Sequence, residues 1–351
     1  MAYLGAGLLL LGFAGCASII FFPLAIVSFI GAAVFGILAI RWGGRAQAGG
    51  FETQAPAVGG LLLTGAVVGV GVMVALLDDA LRGAFDLKLG RPLRIGRRQV
   101  VANARRGEDW CVGPRPAADG LDAATRETLA ALWLHDAQME HASVPAFARI
   151  SWMLAAVGAP PALHRAAQQA ALDEIDHAER CFAIAAGYGG QPSTVAAMPE
   201  LAGALASGDD AIDTLVYESV VDGCQHEGFN ADVAAAAADA CDEPVVRATL
   251  QQVAIDEHAH AELAWRLIEW ALAREDDRAR QAVDRGLREL DRRAIRPPLV
   301  GVPAALGARA DREALRKHGR LDQDACVALW GRRLDATRQR LSALVAARAA
   351  A

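Results

Sequence analysis

One short phrase, written twice, limits the folds open to this chain more than any other feature. Asp173-Glu174-Ile175-Asp176-His177-Ala178-Glu179 returns as Asp256-Glu257-His258-Ala259-His260-Ala261-Glu262. Each copy carries a Glu and a His three residues apart, preceded by Asp and followed by Ala-Glu. An α-helix places residues three apart on one face, about a turn from each other. A carboxylate and an imidazole so placed can hold one transition-metal ion, and two such pairs facing each other can hold two. With sixteen Glu and eight His in 351 residues, chance spacing gives fewer than one such pair in the whole chain. The phrase therefore asks for two helices aligned so that the pairs meet.

Composition agrees with an all-α fold. Ala, Leu and Arg are abundant, aromatics make up 6% of the chain, and β-branched residues are sparse beyond the first eighty positions, which favours helix. The formal charge of -6 is mild and the acidic residues are scattered, so no nucleic-acid partner is expected. Six cysteines without close CxxC spacing read as reduced, cytoplasmic thiols rather than a disulfide framework or a zinc site.

Residues 1–80 read as a membrane unit. Residues 3–40 hold no charge, and as one helix they would extend about 57 Å, nearly twice a ~30 Å hydrocarbon layer. Pro23 is the natural break, giving spans at 3–22 and 24–40; a single long kinked helix is the rival. The uncharged run at 56–77 makes a third span. A lipoprotein-type signal at Gly15-Cys16 fits worse, because no Lys or Arg precedes the apolar run and the run continues past Cys16. The loop at 41–55 offers Arg41 and Arg45, whereas Arg82, Lys88, Arg91, Arg94, Arg97 and Arg98 follow the last span. The more basic side stays in the cytoplasm, so the expectation is a multi-pass protein of the bacterial inner membrane with a cytoplasmic body. The same arginines are then placed to rest on anionic headgroups, in a basic linker at 81–120. Within it, residues 91–102 alternate loosely around Gly96, the pattern of a small hairpin.

Beyond Gly120 the helical punctuation is regular. Asp122 is an N-cap for a helix to about 157, stopped by Gly158-Ala159-Pro160-Pro161. A second helix runs from about 162 to 186 and ends at Gly187. A third runs from about 209 to 240, and a fourth from the Asp242-Glu243-Pro244 turn to about 274. Short links make two antiparallel hairpins, and some twenty residues between them can cross the body. This is a four-helix bundle with one long crossover over 121–275. A C-terminal extension over 276–351 adds a charged helix from about 275 to 293 and a last amphipathic helix from near Asp322.

Two metal ions need more ligands than the two pairs supply. On the first helix the apolar stripe Leu129, Trp133, Phe147, Ile150 and Leu154 includes Glu140, and a Glu in a core stripe points to a ligand. On the third helix Glu227 shares a face with Val220, Cys224 and Ala231. It lies sixteen residues before Glu243, while Glu257 lies fourteen after, so the two meet at one level. Glu218 falls on the opposite face, about 13 Å further along the axis. The set is Glu140, Glu174, His177, Glu227, Glu257 and His260. Its four carboxylates match two divalent ions, and mixed oxygen and nitrogen donors suit iron, with manganese as the second choice.

This set resembles that of the ferritin-like di-iron carboxylate proteins, over residues 122–274. Glu140-His141-Ala142-Ser143-Val144, Asp173-Glu174-Ile175-Asp176-His177-Ala178 and Gly223-Cys224-Gln225-His226-Glu227 look like a group of bacterial ferritin-like proteins of unassigned role. The Asp before each Glu is similar to the methane monooxygenase hydroxylase. That similarity implies that Asp173 orients His260 and Asp256 orients His177, each across the bundle. Tyr217, about ten residues before Glu227, stands too far along the helix for a stable radical beside the metals, a departure from the ribonucleotide reductase small subunit. His141, His226 and His258 point about 100° away from the ligands beside them. Cys181 and Cys224 read as small core residues, and Trp133 and Trp152 as core aromatics.

The resemblance implies three uses. Two ferrous ions can pass two electrons together to O2 or peroxide, drawing on an external reductant, to oxidise a small apolar substrate delivered from the bilayer. Alternatively the site turns over Fe(II) or peroxide itself, which calls for an acidic access path instead of an apolar one. Third, the bundle is a non-enzymatic membrane scaffold. Closed-shell iron storage fits poorly with three spans per subunit, whereas a homodimer remains compatible.

Overall fold

The structure is a computed structural model. It describes residues 22–49, 54, 57–58, 60–64, 66–67, 91–95, 98–199, 201, 210–274, 277–295, 302 and 307–349. The chain divides into two compact units, Met1–Phe85 and Asp86–Ala351, and is mostly helical.

The first unit contains α1, Phe22–Ala48. The expected multi-pass membrane location is corrected here: no helix among the described residues is long and apolar enough to cross a membrane. The stretch at 3–22 lies outside the described residues except for Phe22, and so does most of 56–77. The stretch at 24–40 falls within α1, whose side chains are described from Ile30 onward.

The second unit opens with a small antiparallel hairpin of β1, Arg94–Ile95, and β2, Arg98–Gln99. Two arginines of this stretch are held within the body rather than at a lipid surface. Arg91 is buried and Arg94 pairs with Asp222 at 3.3 Å. Leu93 N–H donates to Ala142 O at 2.9 Å, so this strand is docked along a helix of the body. Next, β3, Ala104–Arg106, reaches forward to β4, Ser193–Val195, in an antiparallel pair.

Four long helical segments make the body. The first, α2, spans Ala123–Ala156, and Asp122 caps it by accepting from Thr125 N–H at 3.0 Å. The second, α3, spans Pro161–Gly189, with proline in its first turn where the missing N–H costs nothing. It stops at Gly190, whose φ of 71° is the left-handed conformation that glycine adopts without penalty.

The third segment is not one regular helix. It runs as α4, Asp210–Glu218, then a π-helical stretch, Ser219–Glu227, then α5, Gly228–Ala240. The fourth, α6, spans Pro244–Leu272, and Glu243 caps it by accepting from Val246 N–H at 2.7 Å.

The apolar side chains of these segments form two main clusters at opposite ends. Phe147, Ile150 and Leu154 of α2 meet Leu163 and Ala167 of α3, Leu215 of α4 and Leu267 and Ile268 of α6. At the other end Leu129 and Trp133 meet Phe182 and Ile184, Ala234 and Ala238, and Val246 and Leu250. The order of these residues makes α2 antiparallel to α3 and the third segment antiparallel to α6, while α3 and the third segment run parallel. It also puts the end of α3 and the start of α4 at opposite ends of the body. Beyond α6, α7, Asp277–Ile295, packs on α4 and the π stretch. The short α8, Arg312–Lys317, is followed by α9, Gln323–Ala349, which covers α5, α7 and the π stretch.

Candidate metal centre

The six residues singled out in the sequence come together midway between the two apolar clusters. Glu140 stands on α2, Glu174 and His177 on α3, Glu227 at the end of the π stretch, and Glu257 and His260 on α6. All are buried, none more than 5% exposed. They form two constellations that could each hold a metal ion. One is Glu140, Glu174, His177 and Glu257; the other is Glu174, Glu227, Glu257 and His260. In each, one ligand atom from every residue lies within 4.8 Å of the others. Glu174 and Glu257 belong to both, so the carboxylate of each Glu-x-x-His pair stands between the positions while each imidazole serves one.

The imidazoles are held from behind. His177 Nε2 lies 3.1 Å from Asp256 Oδ2, and His260 Nε2 lies 3.2 Å from Asp173 Oδ2. Each contact ties α3 to α6. The aspartates are held in turn: Gln169 donates to Asp173 at 2.8 Å and Gln252 to Asp256 at 2.9 Å, each one turn earlier on the same helix. A carboxylate at Nε2 fixes the tautomer with the proton there, leaving the Nδ1 lone pair to face the centre.

The inner atoms make no hydrogen bonds among the described residues. Glu140 Oε2, both oxygens of Glu174, Glu227 and Glu257, and Nδ1 of His177 and His260 are buried without a hydrogen bond. Glu174 lies 3.7 Å from His177 Nδ1 and 3.4 Å from His260 Nδ1, in neither case as a hydrogen bond. Buried polar atoms left unpaired cost about 1–3 kcal/mol each, more when charged. So many in one place, all oxygen or imidazole nitrogen, is the donor set of a cation site.

Without a cation the centre must be balanced by protons. Burial, and then the Glu174 charge, push Glu140 well above the usual carboxylate range. Burial and Glu227 do the same to Glu257, and burial raises Glu227. Burial would also raise Glu174, but His177 and His260 on either side outweigh it and hold it at about 2. Burial would lower both imidazoles, yet Asp256 and Glu174 lift His177 to about 10, and Asp173 and Glu174 lift His260 to about 9. Imidazolium protons and protonated carboxyls thus neutralise the charge that cations would neutralise.

No family model, curated protein or solved structure matches the chain. The reading of the centre therefore rests on its own geometry.

Several residues fall elsewhere than the sequence suggests. Glu218, set aside above in favour of Glu227, indeed takes no part in the centre, but the sequence did not foresee its buried ion pair with Arg149 at 2.5 Å. Burial raises its pKa despite that partner. The π stretch, with its i to i+5 bonding, turns less per residue than the α-helix assumed in counting faces, so helical-wheel phases do not carry across it. Asp222, paired with Arg94, was not anticipated; the signal available was a charged residue amid Val220, Val221 and Cys224.

His226 is fully buried, bonded to Arg293 and edge-on to Trp330 with centroids 5.3 Å apart. His258 is exposed, and His141 stacks edge-on against Trp110 at 4.8 Å. Cys181 and Cys224 are buried thiols with pKa values raised by that burial. Trp133 is core, but Trp152 is 57% exposed. Trp152 sits five residues after Phe147, well over 90° from it around the helix, so it misses the stripe.

Proposed function

We propose that the six residues bind two divalent ions, iron first and manganese as the alternative, within a ferritin-like four-helix bundle with one long crossover. On this reading the protein is an O2-dependent oxidase or oxygenase of a small apolar substrate. One observation carries it: two buried constellations share Glu174 and Glu257, and their inward atoms make no hydrogen bond to the protein.

The residues have separate tasks. Glu174 and Glu257, common to both constellations, would hold both cations. Glu140 with His177, and Glu227 with His260, complete one position each. Asp256 and Asp173 keep the protons on Nε2 so that Nδ1 stays a donor to the cation. The apolar clusters at either end keep bulk water away, which strengthens every charge interaction inside. Bound ferrous ions would supply two electrons together to O2 or peroxide.

Metal analysis of the purified chain, followed by exposure of the ferrous form to O2 with and without a reductant, tests the reading. The expected result is two iron per chain and one round of O2 consumption, repeated only when reductant is supplied. Continuous consumption of added Fe(II) without an organic substrate would move the assignment to iron oxidation. A chain that binds no metal and folds unchanged after Glu174→Ala would leave only a scaffold.

A further inference from the structure

Arg91 is a buried charge near the centre that makes no ion pair at contact distance among the described residues, although it acts from further off on the Glu218, Asp222 and Glu227 carboxylates. It lies on the strand leading into β1, is 3% exposed, and its backbone N–H donates to Ser143 Oγ at 3.1 Å. Its neighbours in the same charged cluster are matched with carboxylates: Arg94 with Asp222 at 3.3 Å, Arg149 with Glu218 at 2.5 Å, and Arg293 with Glu289 at 3.1 Å. Arg91 has no ion pair among the described residues, and its Nη2 is buried without a hydrogen bond. A buried N–H of a charged group left without an acceptor costs about 1–3 kcal/mol or more, which an anion placed against it would recover.

Its position is specific. Arg91 Cζ lies 5.7 Å from the centroid of Phe147, and the His260 ring lies 5.0 Å from that same centroid. One phenyl ring therefore connects the guanidinium to an imidazole of the centre. Room for Arg91 is made by Gly223 on the π stretch: a Cβ there would stand 3.2 Å from Arg91 Nη1 and 2.3 Å from the Cβ of Ala264. The ring face of Phe147 favours a cation but offers no acceptor. A planar guanidinium with its Nη2 unpaired, beside an apolar ring, is matched by a carboxylate on an apolar body.

We infer that Arg91 is the anchor of an anion subsite that takes the carboxylate of an apolar substrate and sets its body along Phe147 toward the His260 side of the centre. The purpose of this subsite rests on the oxygenase reading above; its existence does not.

Benzoate is the probe and benzamide, its neutral counterpart, the control, titrated by calorimetry into the full-length protein as isolated and after loading with Mn(II). Benzoate should bind once per chain, with benzamide about tenfold weaker or more. Arg91→Gln should weaken benzoate by about tenfold or more at unchanged metal content, and Arg91→Lys should keep part of the affinity. Equal binding of the two probes, unchanged affinity in Arg91→Gln, or no benzoate binding to the wild type would overturn the proposal. So would benzoate that alters the Mn(II) resonance spectrum equally in wild type and variant, which would put the anion on the metals. If Arg91→Gln does not fold, Arg91→Lys and the benzamide control decide. Benzoate held through Arg91 in a chain that takes up no metal would sink the oxygenase reading and keep the subsite. A chain that consumes O2 with two irons yet ignores benzoate would do the reverse.

Discussion

At the scale of single residues, the centre balances groups that each prefer another state. Glu257 is buried against Glu227, and both burial and that neighbour drive its pKa well above the usual range, so the metal-free protein disfavours its charged form. Glu257→Gln should therefore leave the metal-free melting temperature unchanged or higher and, on the two-ion proposal, lower metal uptake from two ions to at most one. Melting curves with parallel metal analysis check both halves. Asp256→Asn removes the carboxylate behind His177 without touching an inward-facing atom. Metal affinity should drop about 10–100-fold with helix content intact, measured by competition with a chelator. Glu140 was readable in advance because a carboxylate interrupts an apolar stripe. Arg91 was not, since a basic strand after an apolar segment reads equally well as a lipid-facing one.

At the scale of elements, the π stretch decides the most. It carries Gly223 against Ala264 and Arg91, ends on Glu227, and holds Asp222 and His226 toward α7 and the hairpin strand. Gly223→Ala forces a Cβ into a space already filled and should cost about 1–3 kcal/mol, with part regained in Gly223→Ala/Ala264→Gly. Chemical denaturation of the two variants tests this. The neighbouring ion pair is more severe. Arg149→Met strands Glu218 in the core and should cost about 3–5 kcal/mol, whereas removing both charges should cost less. Helix ends were legible because capping residues act locally. The π stretch was not, because its extra residue per turn is stabilised by what packs around it.

At the scale of the whole molecule, metal, protons and folding are linked. His177 and His260 have folded values of about 10 and 9 against 6.5 unfolded. Their contribution in the metal-free protein is present in full below pH 6.5 and is lost as pH rises through 9 to 10. Glu140 and Glu257, raised above 4.5, also bind more protons folded than unfolded, so they too make stability fall with rising pH. Glu174, held at about 2, acts oppositely, but only where pH falls below 4.5. Metal-free protein should thus lose stability from pH 6 to 9. Cations compete with those same protons, so the rise in melting temperature on adding Mn(II) should grow over that interval, by about 5 °C or more. Melting curves with chelator or metal at each pH measure the difference.

The sequence alone determined that the chain is helical and which six side chains could share a cation centre, because helical periodicity and cap chemistry are short-range and a repeated phrase marks its own face. Tertiary structure decided what the basic strand touches, which glutamate pairs with Arg149, how Asp173 and Asp256 reach the opposite imidazoles, and where the third helix changes pitch. Those contacts join residues far apart in the chain, and local propensity carries no information about which surfaces will be pressed together.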